Sequence, residues 1–175
     1  SYVNIADNAK EMYDHGKIFS EEGMAEIEVM RQLLMEILDN VEMAFMKRDV
    51  EAAFMIEPLQ EVAGEVTSKL KKRHLSRMSR GECDIYADSN FENLLSDMMR
   101  IADVSTNIGE AVLIRVHPEI ADDEHRYFAA LRSGENKKYS EAYEAAHNNY
   151  MDKLKQLEGS KDHEIHEADD RFDDA

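Results

Sequence analysis

Between residues 20 and 47, Met24, Ile27, Met30, Leu34, Ile37, Leu38, Val41 and Phe45 recur at steps of three and four. That spacing places them on one face of an α-helix. Phe19 and Ser20 read as a staple and an N-cap, with Glu21 and Glu22 suited to the positive helix start. Before them, residues 3–16 read as a helix with Ile5, Ala9 and Met12 on one face and Gly16 at its end. The link Lys47-Arg48-Asp49 is so short that the helices on either side must be antiparallel neighbours, with Asp49 capping the second. That helix runs to about Ser79 on a stripe of Leu59, Val62, Ala63, Val66 and Leu70, and Gly81 stops it. Pro58 either kinks it or sits in the first turn of a restarted helix.

Ser89 and Glu92 read as a capping box for a helix reaching about Val116. Its seam is Phe91, Leu94, Leu95, Met98, Ala102, Ser105, Ile108 and Val112, and His117-Pro118 ends it. A short helix over about 122–132, a loop at Ser133-Gly134 and a last helix over 137–158 complete the pattern. Residues 159–175 lack an apolar period and read as an acidic, disordered tail. No strand-like alternation stands out. The pattern predicts an all-α fold, a bundle of about six helices in one domain over 1–158.

Composition agrees with helix: two prolines and seven glycines in 175 residues. The longest apolar run, Ala52 to Ile56, is far short of the roughly 20 residues a bilayer span needs. The lone Cys83 excludes an intrachain disulfide framework and a multi-cysteine zinc site, and points to a reducing, cytosolic setting. Its neighbours Glu82 and Asp84 argue against a reactive thiolate. Because the chain begins at Ser1, it is read as a fragment. The formal net charge of -17 should repel nucleic-acid backbone. Against that acidity, Lys69, Lys71, Lys72, Arg73, Arg77 and Arg80 form one basic segment.

Two segments repeat. Ile5-Ala6-Asp7 returns as Ile101-Ala102-Asp103, with Met12 opposite Ile108 and Asp14 opposite Glu110. The links repeat as well, Lys138-Tyr139-Ser140-Glu141-Ala142 standing where Arg48-Asp49-Val50-Glu51-Ala52 stood. The chain therefore reads as two pseudo-repeated three-helix units, entered at the third helix of a cycle.

The segment Arg100-Ile101-Ala102-Asp103, Asn107-Ile108, Glu110 resembles the third-helix motif of PhoU-type phosphate regulators, which consist of two three-helix repeats. Asn4-Ile5-Ala6-Asp7 through Glu11-Met12 and Asp14 is a poorer copy. A narrower resemblance covers about residues 3–158. Glu57-Pro58-Leu59 with Glu61-Val62, His74-Leu75-Ser76-Arg77 with Gly81-Glu82-Cys83, and Asn93-Leu94 up to Asn107-Ile108 are similar to the PhoU-like cytosolic region of bacterial sodium/phosphate cotransporters. That resemblance implies a non-catalytic regulatory domain acting in phosphate transport. Its partner would be the transmembrane transporter portion of the same parent chain, in a bacterial inner membrane. The resemblance also singles out His74. Family members with intact motifs hold metal clusters through a leading acid, which is replaced here by Val3 in one copy and Met99 in the other.

Three sets of residues carry the candidate chemistry. Asp103, Asn107 and Glu110 share a helix face, and Asp7 and Glu11 share the matching face of the first helix. Oxygen donors of this kind suit a divalent or ferric ion. The plainer reading is that Asp7 and Asp103 cap neighbouring groups or pair with Lys10 and Arg100. Lys69, Lys71, Lys72, Arg73, His74 and Arg77 suit contact with a partner or an anionic membrane surface, or alternatively neutralise a helix C-terminus. Glu144 and His147 form one Glu-x-x-His pair, the minimum hint of a carboxylate-bundle metalloenzyme, for which two pairs are needed. Asp122 and His125 are a poor second pair. His163, Glu164, His166 and Glu167 fall in the tail, where binding would cost ordering entropy. A helical dimerisation module, with a homodimer as its assembly, is the remaining alternative.

Overall fold

The computed structural model describes residues 2–14, 19–81, 85–133 and 136–169. Six α-helices and one 3-10 turn follow one another: α1 (Tyr2–Asp14), α2 (Glu21–Lys47), α3 (Val50–Ser79), α4 (Ile85–Val116), the 3-10 turn (Pro118–Asp123), α5 (Glu124–Arg132) and α6 (Lys137–Asp169). No strand occurs among the described residues, so the chain is an all-α helical bundle. No helix among them is long and apolar enough to cross a membrane.

α2, α3 and α4 pack against one another, α6 lies on α2 and α3, and α1 lies along α4. α5 packs on the 3-10 turn. The stripe read on α3 is the dry centre: Leu59, Val62, Ala63, Val66 and Leu70 are all fully buried. Helix α2 is wrapped by three neighbours, so its buried surface is wider than one periodic stripe. Val29, Leu33 and Ala44 are buried beside Met30, Leu34 and Ile37. Met24 and Phe45 point away from that buried face and are exposed, although Gly23, Glu26 and Ala44 beside them are buried.

The helix boundaries follow local chemistry. The Ser20 hydroxyl accepts from the Gly23 amide at 3.1 Å, and Phe19 meets Phe91 edge-on with centroids 5.7 Å apart. One oxygen of Asp49 accepts from the Glu51 and Ala52 amides at 3.0 and 3.1 Å, starting α3 two residues after α2 ends. Two left-handed residues end helices: Gly81 after α3 (φ +74) and Arg48 after α2 (φ 56). Glycine adopts that conformation without strain; arginine does not. α3 passes through Pro58 as one helix rather than restarting there.

Three boundaries depart from the sequence reading. α4 begins at Ile85, which puts Ser89 inside the helix and not at its cap. Residues 85–88 contain no proline or glycine, so nothing halts the helix before Ser89. The helix read at about 122–132 starts as a 3-10 turn, with the Ile120 amide donating to the His117 carbonyl at 3.0 Å, and becomes α5 only at Glu124. α6 continues to Asp169, so residues 159–169 of the expected tail are helical. Extending an existing helix requires no new nucleus, and Lys161, Glu164, Glu167 and Ala168 are acceptable helix formers. Residues 170–175 lie outside the described residues.

Candidate functional site

The described members of the two acidic faces are held apart from any shared cluster. Asp7 and Asp103 are exposed, and Asp103 accepts from the Gln60 amide at 2.8 Å. Asn107 is exposed and Glu110 is half-buried and already engaged. The side chain of Glu11 lies outside the described residues. α1 does pair with α4, and one polar contact between them is the Asn4 side-chain amide donating to the buried Asp97 at 3.4 Å. Among the described residues, no three His, Cys, Asp or Glu side chains lie close enough together to hold a metal ion.

The basic segment divides. Lys72 is exposed, and Lys71 reaches Ser96 at 3.4 Å from a half-buried position, as is Lys69. Arg73, His74 and Arg77 turn inward. Arg77 donates to both oxygens of Glu26, at 2.8 and 2.7 Å, with both residues almost fully buried. Arg73 donates to Glu26 and, at 3.3 Å, to Glu22. The buried His74 ring stacks on Phe91, centroids 4.4 Å apart at 20°, and the Arg77 guanidinium lies 5.6 Å from the same ring. His74 and Arg77 are therefore turned into the fold, and Arg73 keeps only a small exposed fraction. They knot the start of α2 to the end of α3 and the start of α4. The helix period fixes this: Arg73 and Arg77 are one turn apart, as are Glu22 and Glu26, so both pairs meet across an antiparallel interface.

His147 belongs to a second polar seam, between α3 and α6. Its Nε2 lies 3.2 Å from Glu65, which also accepts the Tyr143 hydroxyl. Tyr139 donates to Glu61 at 2.7 Å, and Tyr150 to Glu36 on α2 at 2.6 Å. The hydrogen bond to Glu65, reinforced by partial burial and the charges of Glu65 and Glu61, pushes the Tyr143 hydroxyl up to about 12. Burial, then the Glu36 bond, raises Tyr150 as well. Glu144 is exposed. His147 is thus committed to a helix–helix seam. The side chains of His125, His163, Glu164, His166 and Glu167, and Cys83, lie outside the described residues.

The surface that periodicity did not single out is a cleft between the end of α2 and the second half of α4, of about 500 Å³. Its walls are apolar: Ala44, Phe45 and Met46 on one side, and Val104, Ile108, Val112 and Val116 on the other. Phe45 and Met46 are 68% and 72% exposed, and Val104 is 53% exposed. The polar members are Arg48, Asn107 and Arg115, and among the described residues no acidic side chain lines the cleft. In a chain of net charge -17, two arginines framing an apolar floor without a lining carboxylate is a local inversion of charge. α3 and α6 both reach this end of the bundle, with Ala53 and Ile56 beside Gly109 and Lys138 paired with Glu51, so the cleft is a side of α2 and α4 that those helices do not face. Open apolar surface rimmed by polar groups marks contact sites.

By its architecture the chain is an all-α helical bundle with an apolar cleft between α2 and α4. Compared with protein-family models, curated proteins and solved structures, it matches none of them.

Proposed function

We propose that this chain is a non-catalytic binding module, the PhoU-like regulatory domain of a sodium-dependent phosphate transporter-type protein, and that it acts through the cleft between α2 and α4. The observation that carries the binding reading is the exposed Phe45–Met46 pair facing Val104 and Val116, framed by Arg48 and Arg115. The assignment to phosphate transport rests on the resemblance of segments 57–62, 74–83 and 100–110. Of these, Asn107 and Ile108 line the cleft, which brings part of the resembling motif to the contact surface. In this reading the domain sits in the cytoplasm beside the membrane-embedded portion of a bacterial parent chain. It biases transport by holding or releasing a partner helix.

Sodium-driven uptake of radiolabelled phosphate tests it. Cells whose natural gene lacks the segment for residues 1–175, or carries Phe45→Asp with Arg115→Glu, should show altered uptake at equal expression. Uptake unchanged in both strains would remove the transport assignment.

A further inference from the structure

We infer that the cleft between α2 and α4 is the receptor for an acidic amphipathic helix supplied by a partner segment. The inference rests on the binding-module reading and names the partner's chemistry. Val104, Ile108, Val112 and Val116 stand at steps of four on α4 and form one continuous ridge. Twelve residues of rise make that ridge about 18 Å long, enough for three turns of a docked helix. Asn107 and Arg115 stand on the adjoining row of the same helix, two turns apart. Across from them, the end of α2 supplies Phe45, Met46 and then Arg48.

Shape selects the class of occupant. A small ligand needs a cavity that covers most of its surface. Phe45, Met46 and Val104 are each more than half exposed, so the cleft opens along one side as a trough, which suits a helix laid lengthwise. Charge selects the kind of helix. With two arginines at the rim and no acid in the lining, carboxylates flanking the apolar face of the incoming helix find unopposed cations. A second copy docked face to face on the same cleft would bring four arginines together. An anionic lipid surface would be repelled by the rest of this acidic chain.

Arg48 supplies an independent observation. It occupies the left-handed position that ends α2, where glycine is the usual residue. The same chain uses glycine for the same purpose at Gly81, which ends α3. A strained arginine kept at the cleft rim points to a use for its side chain.

The test is a displayed library of peptides about 14 residues long, enough for the ridge and its ends. Leucines are fixed at steps of three and four, and the flanking positions vary among Asp, Glu, Lys, Arg, Ser and Gln. Selection on the intact 175-residue chain should enrich Asp and Glu at the flanks. The selected peptide should bind about tenfold or more tightly than its lysine-flanked counterpart. An Arg48→Glu/Arg115→Glu variant with unchanged circular dichroism should reverse that preference, and Arg48→Gly should weaken the acidic peptide while leaving the fold intact. Failure to enrich any peptide, enrichment of basic or neutral flanks, or equal binding by the charge-reversed variant would overturn the inference. So would self-association in light scattering that Phe45→Asp abolishes, which would assign the cleft to a second copy. Peptide selection reads nothing from phosphate uptake, so the transport assignment and the docking inference fail separately.

Discussion

The two ends of α2 use the same ingredients, arginine and aromatic or apolar surface, in opposite ways. At its start, Arg73 and Arg77 are matched to Glu22 and Glu26, and Phe91 is covered by the His74 ring. At its end, about 28 Å along the helix from Glu26 to Phe45, Arg48 and Arg115 have no acid in their cleft and Phe45 stands open. Burial converts charge into architecture only where each charge has a partner, because desolvation penalises an unmatched ion heavily. Where no partner is supplied, the charge stays at the surface and remains available for contact.

Removing the buried acid is the harshest way to break this contrast. Glu26→Ala leaves the buried Arg77 with Glu22, 3.5 Å away and shared with Arg73, in place of its two-oxygen partner and should destabilise the fold by about 3 kcal/mol, read as a lowered urea midpoint. If Glu26→Ala costs no more than a surface change, the knot is not the anchor described here. Next is the close approach of α3 and α4. A Cβ at Gly109 would lie 3.0 Å from the Ala53 carbonyl oxygen and from Ile56 Cδ1. A helix carbonyl cannot swing aside, so Gly109→Val should cost about 2 kcal/mol by thermal or urea unfolding.

The seam of α6 on α3, midway along that helix, predicts a pH limit. Tyr143 ionises at about 12 in the fold against about 10 in an unfolded chain. Its pKa is raised on folding, so its contribution is fully present below about pH 10 and is lost as pH rises through about 12. Circular dichroism at rising pH should show that loss, and Tyr143→Phe should flatten it. At the open end the effects on stability should be the smallest, and one has the opposite sign. Arg48→Gly relieves a left-handed arginine and should stabilise by up to about 1 kcal/mol. Phe45→Ser should change stability by less than about 0.5 kcal/mol. A large loss from Phe45→Ser would mean that the cleft belongs to the core.

Much of the fold was legible because helix periodicity and caps are local. The stripe on α3, the Ser20 and Asp49 caps and the Gly81 stop were readable from neighbours in the chain. The fate of the basic segment was not. Whether Arg73 and Arg77 face water or a carboxylate depends on Glu22 and Glu26, which lie 51 residues away from their partners. The cleft was hidden for the complementary reason. Phe45, Ile108 and Val112 have the spacing of core residues, and spacing alone does not say which side of a helix its neighbours will cover. The Glu144-x-x-His147 spacing was a single incomplete pair, and the sequence does not reveal that Glu65 meets His147 across the α3–α6 seam, beside Tyr143.

The two-residue turn between α2 and α3 also sets an order of assembly. With Arg48 and Asp49 as the whole connection, the first contacts between these helices close a loop of a few residues and cost little chain entropy. α6 must return across more than a hundred residues before Tyr150 reaches Glu36 or Lys153 reaches Gln32. The α2–α3 hairpin therefore has the smallest kinetic obstacle and α6 the largest. Local burial sets the order of amide exchange differently: α1, none of whose described side chains is buried, should exchange with solvent first, while the hairpin carrying the Glu26 knot keeps its protons longest.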